Sequence, residues 1–544
     1  MRRGWWAAAA ALTLLGAALR LHHLGFQELW LDEALQLRMA TTERFAEALR
    51  LEYSPPLGYL LWRGWVGLFG EGEVAMRSLA ALFGIAFVPV AIAAGRAIVS
   101  PAAGLWAGAF AATAPLHVYY SQEARAYSLL CLAILLAHWT AWRALARPRP
   151  AAFAAFAASA LLALFTHHYA ALALAPAAGL AWAWPRDERT RARRAGFALA
   201  VAAAGLPWAA WIGWSWLANV QIERGYLWVT QVWRAIPPAL AIPKSLEVLA
   251  FGPQQGSIPG FFKQFTILAF PAPLRALGWL ALAGLAAVAL GPWRDARLGL
   301  PFLGLRKAWL AAAAFLPLLV LWGVSFALPT YVVARYDLVA FPAYVLLVGL
   351  AYAKLATFGL AAPLAALVFF GLMGAKLTLY YTLPVFAAGH VPSRETAAAL
   401  DRVVAEGDLV VLTAYRGATV GYQLRRLGYH EQNGRFERAA YGRRFELRRL
   451  ATHPSSLFFN VDHPERTRFD LEQVRSDLRA DLAALDPARA TVWVEALPDE
   501  PRLPRFRAML AEELSRAGFR PAPPPPGLAP GHVDAFRSGA RLAP

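Results

Sequence analysis

Two adjacent carboxylates, Asp32 and Glu33, follow the first long apolar stretch of the chain. Trp30 and Leu31 precede them, so the acidic pair stands beside apolar residues and not within a polar run. Ionisable groups near a membrane surface are costly to dehydrate and are concentrated at functional sites. The pair is therefore the first candidate for acid–base chemistry, with a solvated loop pair as the alternative.

Residues 119–127 form a second polar segment, which lies between two apolar runs with almost no connector. A carboxylate such as Glu123 at membrane depth costs on the order of 2.5–3.5 kcal/mol unless it is paired or hydrated. Its position indicates either a functional group or a local ion pair with Arg125 that holds two helix ends. Tyr120 and Tyr127 flank these charges.

A third polar segment, residues 331–337, places Arg335 and Tyr336 at the edge of an apolar run. A guanidinium at this position can bind a phosphate through two parallel hydrogen bonds. It can equally be an anchor whose charged head reaches the membrane surface.

Residues 53–60 contain a proline pair and two tyrosines. Pro55 and Pro56 fix a turn because neither can donate a backbone hydrogen bond. Tyr53 and Tyr59 suit either an acceptor-binding loop or an ordinary interfacial anchor.

Two adjacent histidines, His167 and His168, lie between closely spaced apolar runs. Neighbouring side chains point in different directions on a helix, which argues against a shared metal ion. Hydrogen-bonding structure is the alternative to a role in the site.

Composition places these segments in a membrane. The 544 residues are 58% hydrophobic and include 21 tryptophans, which indicates a polytopic α-helical membrane protein. The single cysteine, Cys131, excludes a disulfide framework and a cysteine-based metal site. The net charge of +18 is concentrated before residue 385, with 30 basic against 15 acidic residues. Positively charged cytoplasmic loops explain that excess better than nucleic-acid binding.

About eleven spans are expected in residues 1–384. An uncleaved anchor at 4–24 is followed by an outer loop at about 25–72. Basic clusters between later spans fall on the cytoplasmic side, whereas nearly all acids, including the candidates, fall on the other. The ten further predicted spans are about 74–99, 102–118, 126–145, 151–165, 169–184, 195–216, 267–293, 308–328, 338–353 and 358–379.

Residues 385–544 form a predicted extracytoplasmic domain, because an odd number of spans puts the tail opposite the N-terminus. Helical patterns at 393–405, 419–427 and 505–517 alternate with buried-strand patterns at 408–413 and 491–495, which favours an α/β fold. The domain carries no glycine-rich phosphate loop, no metal-ligand spacing and no nucleophile elbow. A Pro-rich, irregular tail is expected after residue 520.

Four ordered motifs resemble the GT-C superfamily of membrane glycosyltransferases, and in particular bacterial proteins similar to protein O-mannosyltransferases and to the lipid A aminoarabinose transferase. The resemblance covers roughly residues 4–345 and does not extend to the C-terminal domain. The motifs are Trp30-Leu31-Asp32-Glu33-Ala34, Pro55-Pro56-Leu57-Gly58-Tyr59, residues 76–84 (MRSLAALFG) and residues 120–127 (YSQEARAY).

The resemblance implies transfer of a sugar from a polyprenyl-phosphate donor to a lipid, glycan or protein acceptor on the outer face of the bacterial cytoplasmic membrane. It implies that Asp32 is the catalytic acid/base and that Arg335 holds the donor phosphate, with Tyr336 beside it.

The residue types themselves also suit that chemistry, independently of the resemblance. A phosphate-linked sugar has a good leaving group, so the enzyme needs a base for the acceptor hydroxyl and cations for the developing phosphate charge. Asp32 can be the base, and Arg335 or, as second choice, Arg125 can be the cation. Glu33 and Glu123 can orient Asp32 or bind Mg²⁺ or Mn²⁺, so metal dependence stays open.

Two other functions share part of this pattern. A glycan ligase or polymerase acting on a lipid pyrophosphate would use the same outward site. A transporter would require broken helices and ionisable groups near the bilayer midplane, often in two related halves, and the sequence shows neither a repeat nor a midplane acid.

Overall fold

The computed structural model describes residues 2–50, 52, 54–219, 227–234, 236–252, 270–293, 295–382, 393–432, 435–438, 443–450, 471–495, 504–523 and 533–538. The chain divides into two compact units. The first consists of Met1–Gln27, Glu52–Leu217 and Tyr226–Gly389, and the second of Glu28–Leu51, Ala218–Gly225 and His390–Pro544.

Helices dominate the chain up to residue 382. In chain order they are α1 (Arg2–Leu21), α2 (Leu31–Thr41), α3 (Phe45–Arg50), α4 (Leu57–Phe69), α5 (Glu73–Ile98), α6 (Pro101–Thr113), α7 (Pro115–Ser121), α8 (Tyr127–Ala146), α9 (Pro150–Thr166), α10 (Ala170–Ala183), α11 (Thr190–Asn219), α12 (Leu227–Arg234), α13 (Pro238–Phe251), α14 (Ala272–Leu290), α15 (Asp295–Leu298), α16 (Leu303–Val324), α17 (Phe341–Leu355) and α18 (Ala361–Thr382). Short 3₁₀ helices at Tyr336–Ala340 and Ala356–Phe358 flank α17.

Within the described residues, eight helical stretches are long and apolar enough to cross a membrane. They are α1, α5, α8, α11, α14, α16, the stretch Tyr336–Phe358 and α18. The chain is a multi-pass membrane protein, as its composition predicts. The apolar helices α9 and α10 are shorter, at 17 and 14 residues. The count of eleven spans stays a prediction.

One expected span is divided. Residues 102–118 were expected to form a single helix, but α6 ends at Thr113 and α7 begins at Pro115. Ala114 between them is extended, with ψ of 113°, because the residue before a proline disfavours the helical region. The break gives α7 its own direction just before the polar segment 119–127.

The helical stretch Tyr336–Phe358 is the most buried of the eight. Within its apolar window 94% of residues are buried in the protein, against 17% for α1 and for α11. The outer helices instead expose large apolar side chains such as Leu199, Leu206 and Leu367. In a membrane protein these side chains face lipid, so the exposed apolar surface costs nothing there.

Glycines allow α5, α6 and α17 to approach closely. A methyl group on Gly104 of α6 would stand 2.4 Å from the carbonyl oxygen of Ile92 in α5. One on Gly349 of α17 would stand 2.5 Å from the carbonyl oxygen of Ala103. Small residues at helix contacts are the usual means by which membrane helices pack tightly.

Gly104→Ala should therefore lower the thermal unfolding midpoint, since overpacking against backbone costs about 1–3 kcal/mol. Gly284→Ala in α14 is the matched control: the added carbon meets no described atom within 4 Å. It should leave the midpoint unchanged or raise it, because alanine favours a helix by about 0.5–1 kcal/mol over glycine. The single buried thiol of Cys131 allows the measurement with a thiol-reactive fluorophore. Equal midpoints for the two variants would contradict the packing argument.

The second unit contains an α/β domain, as the alternating pattern predicts. Its strand order is β2-β3-β4-β1-β5-β7-β6, and β1 pairs in parallel with β4 and β5 whereas the other pairings are antiparallel. In chain order its elements are α19 (Ser393–Val403), β1 (Leu409–Thr413), α20 (Ala414–Arg426), β2 (His430–Gln432), β3 (Arg435–Arg438), β4 (Arg443–Leu450), α21 (Leu471–Ala483), β5 (Val492–Glu495), α22 (Pro504–Arg516), β6 (Phe519–Ala522) and β7 (Val533–Ser538).

Strand β1 contributes side chains to both hydrophobic cores of this domain. Val410 and Leu412 pack into a cluster with α19 and α20, whereas Leu409 and Val411 pack into a cluster with α21 and α22. Successive strand side chains point to opposite faces, so a short apolar run covered by helices on both sides is buried throughout.

The expected irregular tail is partly wrong. Residues 519–522 and 533–538 form β6 and β7, which pair antiparallel at one edge of the sheet. Pro521 is compatible with β6 because that strand is the outermost one, where a missing N–H donor breaks no central ladder.

Candidate active site

Glu33 and Asp32 lie in the first turn of α2 and have different surroundings. The Glu33 carboxylate accepts a hydrogen bond from the Trp30 backbone N–H at 3.2 Å, and the residue is buried. This is the return contact of a capping box. Asp32 is partly exposed, and the helix N-terminus favours its negative charge. Glu33 thus stabilises the helix start, and Asp32 is the more accessible carboxylate.

The α2 segment is attached to the α/β domain of the second unit. The Glu28 carboxylate accepts hydrogen bonds from the backbone N–H groups of Ser393 (3.1 Å) and Arg394 (3.0 Å) in the first turn of α19. Ala34 and Leu35 pack against Ala418 of α20. Burial raises the pKa of Glu28, with the Arg394 and Ser393 amides acting in the opposite direction. The helix that carries Asp32 is therefore held by the C-terminal domain.

In the first unit, Arg335 is presented by a constrained turn. Ala334 has a positive φ of 65°, which is uncommon for a residue with a side chain. Its N–H donates to Asp337 Oδ2 at 3.0 Å, and its carbonyl oxygen accepts from the Tyr120 hydroxyl at 2.5 Å. These two bonds stabilise the strained conformation and fix the direction of the next residue.

The Arg335 side chain is buried within the first unit. Its Nε donates to the Tyr127 hydroxyl at 2.6 Å, and the guanidinium carbon lies 5.6 Å from the centre of the same ring. Only 8% of the residue is exposed. A snorkelling anchor would keep its charged head in water, so burial argues against that interpretation.

Aromatic rings surround the Arg335 turn. Ring centres lie 4.7 Å apart for Tyr120 and Tyr127, 5.6 Å for His167 and Tyr336, and 5.3 Å for Tyr169 and Tyr336. Such spacings are those of favourable stacked or edge-to-face pairs. The turn therefore has rigid walls that can exclude water from a charged ligand.

His167 and His168 point to different partners, as expected for neighbours. His167 Nδ1 accepts from the Tyr169 backbone N–H at 3.2 Å, and His168 Nδ1 accepts from Trp208 Nε1 at 3.1 Å. Burial, together with the charges of His168, Arg335 and Arg125, lowers the pKa of His167 to about 3. His167 is thus neutral at physiological pH and does not compete with Arg335 for an anion.

The proline turn approaches the loop that carries Glu123 and Arg125. An added carbon on Gly58 would lie 3.1 Å from Ala126 Cβ, and Glu123 is buried. Tyr59 donates to Glu52 at 3.1 Å. Burial and the Glu52 charge raise the pKa of Tyr59, and Arg125 opposes that rise. Pro55 and Pro56 are buried, and Tyr53 lies outside the described residues.

Other motif residues build the frame of the site. The Ser121 hydroxyl accepts from Arg20 Nε at 3.1 Å, and Gly84 leaves the space for this contact, since a methyl group there would overlap Ser121 Oγ at 2.1 Å. The Gln122 side-chain amide donates hydrogen bonds to carbonyl oxygens of Leu19 and Arg20, in the last turn of α1, and of His22, just after that helix. Arg77 donates to the carbonyl oxygens of Leu24 and Gln27, which precede the acidic pair in sequence.

Two crystal structures of ArnT from Cupriavidus metallidurans resemble this chain, one in the apo state and one bound to undecaprenyl phosphate. Each has a TM-score of 0.58 and 14% sequence identity, and the similarity covers 100% of this chain and 99% or 100% of theirs. The chain has the ArnT fold. This similarity over the whole chain confirms the fold class predicted from the sequence, a polytopic α-helical membrane protein with a C-terminal α/β domain.

An oligosaccharyltransferase from Archaeoglobus fulgidus, in complex with Zn and sulfate, is a more distant match. Its TM-score is 0.49 at 11% identity, over 99% of this chain and 74% of that one. No family model and no curated protein matches the chain.

Within the ArnT fold, the first unit brings together Arg335, Tyr336, Tyr127, Tyr120 and His167. Asp32 and Glu33 belong to the second unit. Among the described residues no three His, Cys, Asp or Glu side chains form a group that could hold a metal ion. The suggested metal ligands Glu33 and Glu123 stay predictions.

Sequence reasoning did not select two groups that shape the Arg335 turn. Asp337 is a buried carboxylate bonded to the turn, and an acid only two residues after Arg335 in an apolar run is the signal that could have identified it. The Tyr331 hydroxyl lies 2.7 Å from Ser245 Oγ of α13. No local pattern connects residues 86 positions apart.

The Glu28 contact predicts coupling between α2 and α19. Glu28→Ala should increase hydrogen–deuterium exchange in peptides covering residues 393–396 and in α2, because loss of a helix cap costs about 0.5–2 kcal/mol. Glu43→Ala, an exposed acid of the same segment, is the control and should leave exchange unchanged. Identical exchange in the Glu28 variant and wild type would show that the domain does not hold α2 through this carboxylate.

Proposed function

We propose that the protein is a glycosyltransferase that moves a sugar from a polyprenyl-phosphate donor to a hydroxyl of a lipid, glycan or protein acceptor. The observation that carries this proposal is the buried, rigidly presented Arg335 at the start of the most buried membrane stretch. The likeness to ArnT, which has been crystallised with undecaprenyl phosphate, supports the same class of donor.

The position of Arg335 suits a lipid phosphate. It precedes the membrane stretch Tyr336–Phe358 by one residue, so a phosphate at headgroup level can meet the guanidinium while the polyprenyl chain stays in the bilayer. The hydrogen bond from Nε to the Tyr127 hydroxyl fixes the plane of the guanidinium, and a planar guanidinium matches a phosphate through two parallel hydrogen bonds. Arg125 and Tyr336 are the further donor-binding candidates.

The proposed reaction is a single displacement. The Asp32 carboxylate accepts the proton of the acceptor hydroxyl, and the oxygen attacks the anomeric carbon. The bond from that carbon to the phosphate oxygen breaks, polyprenyl phosphate leaves with both electrons, and the anomeric configuration inverts. Arg335 stabilises the charge on the leaving phosphate, which a preorganised cation in a water-poor site does efficiently.

The roles of the acidic residues differ in this proposal. Asp32 is the base, and Glu33 positions it by fixing the first turn of α2. Glu123, buried in the loop before α8, is a further candidate for orienting the reacting groups. Tyr59, His167 and His168 belong to the surrounding walls.

The proposed site faces the outer side of the bacterial cytoplasmic membrane. The basic clusters of the membrane part lie at the opposite helix ends, for example residues 143–149 at the C-terminal end of α8, and such clusters favour the cytoplasm. Residues 385–544 then lie outside as well.

This topology favours a lipid-linked donor over a nucleotide sugar. A nucleotide sugar is held in the cytoplasm and needs a pocket for base and diphosphate, usually at the ends of parallel strands. The cytoplasmic connectors are too short to build one, and the α/β domain carries no phosphate-cradling glycine loop.

Purified protein should transfer radiolabelled sugar from a short-chain polyprenyl phosphate to an extracted envelope acceptor, and none from the matching nucleotide sugar.

Asp32→Asn keeps the shape of the side chain but removes the proton acceptor, so turnover should fall by about 10²–10⁴-fold with donor binding retained. Glu47→Gln, an exposed acid paired with Arg44, should be nearly neutral.

Transfer from the nucleotide sugar alone would contradict the lipid-donor mechanism. Transfer only from a lipid pyrophosphate would indicate a ligase or polymerase. Full activity of Asp32→Asn would remove Asp32 as the base.

A further inference from the structure

A cavity lies near the end of α8 that is remote from the candidate site. It has a volume of about 860 Å³ and is lined by α1, α5, α8 and the start of α9. Helix α8 begins at Tyr127, in the candidate site, and reaches this cavity at Arg143 and Ala146. At 1.5 Å per residue, the 16 positions from Tyr127 to Arg143 correspond to about 24 Å along the helix.

The mouth of the cavity is strongly basic. Arg96, Arg143, Arg147 and Arg149 line it, and no acidic residue does. Across the part of the chain that the structure describes, none of the four forms an ion pair with a carboxylate. Basic residues near the start of two other helices do form ion pairs. Arg193 of α11 pairs with Asp187 at 2.8 Å, and Lys307 of α16 pairs with Asp295 at 2.5 Å.

Tryptophans hold two of these arginines. The Arg96 guanidinium carbon lies 4.6 Å from the centre of the Trp5 ring, and that of Arg143 lies 5.6 Å from the centre of the Trp139 ring. A cation over an aromatic face is attracted without losing its charge. The arginines are therefore positioned and still carry their positive charge. Tryptophans beside basic residues at helix ends, such as Trp5 here, are also typical of the interface between membrane and water.

The inner part of the cavity is apolar. Ala9, Ala10 and Thr13 of α1 face Pro89, Ile92 and Ala93 of α5 there. The eight-residue distance from Trp5 to Thr13 corresponds to about 12 Å along α1. Trp5 and Trp6 stand at one end of this lining, and beyond them the small side chains of Ala9, Ala10 and Thr13 leave a groove against α5, which suits hydrocarbon and not water.

We propose that this cavity binds an anionic phospholipid of the membrane face opposite the candidate site. The phosphate and headgroup would lie among the four arginines, and the first acyl carbons would fill the groove between α1 and α5. A volume near 860 Å³ lies within the range of small-ligand sites. Basic pockets between membrane helices are suited to acidic lipid headgroups. A free phosphate would leave the apolar half of the cavity empty.

The test uses the full chain in neutral detergent, given equimolar phosphatidylglycerol and phosphatidylcholine and examined by native mass spectrometry. Wild-type protein should retain phosphatidylglycerol preferentially, and that lipid should raise the thermal unfolding midpoint. Arg143→Gln with Arg147→Gln should weaken retention at least about tenfold, a loss of about 1.4 kcal/mol. The control, Arg189→Gln with Arg191→Gln, removes two exposed arginines that do not line the cavity and should keep the preference.

Each alternative outcome overturns the proposal. Equal retention of the two lipids by wild type would mean that the charge of the headgroup is not recognised, and this arm needs no variant to fold. The same rise in midpoint with inorganic phosphate alone would indicate a soluble anion. Equal losses in the two double variants would indicate a general effect of net charge.

Discussion

One buried guanidinium, that of Arg20, joins the first helix to the two short helices that lead to the candidate site. A guanidinium has five N–H donors and loses its hydration on burial, so the protein must supply every acceptor. Tyr120, next to one of these acceptors in sequence, bonds the carbonyl oxygen of Ala334, so the position of Arg335 depends on this cation. The acceptors of Arg20 are Ser121 Oγ, the carbonyl oxygens of Gly16, Ala111 and Ala112, and His117 Nδ1.

The fold was predictable where a local pattern is sufficient. Apolar runs of membrane length gave the long helices, and the short buried strands 409–413 and 492–495 were visible as apolar runs between helical patterns. The roles of single polar residues were not visible, because their partners are distant in sequence. Arg20 bonds residues 91–101 positions away, and Glu28 bonds amides 365 and 366 positions away.

In the candidate site, too, some features follow from a local sequence pattern and others depend on contacts that the pattern does not show. Its segments were selected because charges beside apolar runs are costly, which makes Glu123 and Arg335 candidates without a structure. The phosphate role of Arg335 came from the resemblance to membrane glycosyltransferases. It cannot separate Asp32 from Glu33, since the difference is a hydrogen bond to the Trp30 N–H. It also missed Asp337, whose contribution is to hold a turn with a positive φ at Ala334.

Two groups of arginines meet the membrane differently in this protein. Arg335 is buried, bonded by Tyr127 and next to a neutral His167, which suits one defined phosphate. Arg96 and Arg143 lie over tryptophan rings at the mouth of an open cavity, which suits a mobile lipid headgroup. We therefore propose phosphate recognition for Arg335 and lipid binding for Arg96 and Arg143, because the first guanidinium is dehydrated and the other two are not.

The central claim is that the Arg335 turn binds the phosphate of the donor lipid. A cryo-electron microscopy structure of the full chain in lipid nanodiscs with polyprenyl phosphate tests it most directly. The account predicts phosphate density with oxygens about 2.7–2.9 Å from the Arg335 guanidinium nitrogens, beside Tyr127. Phosphate density found only in the cavity of Arg96 and Arg143, with none at Arg335, would contradict it.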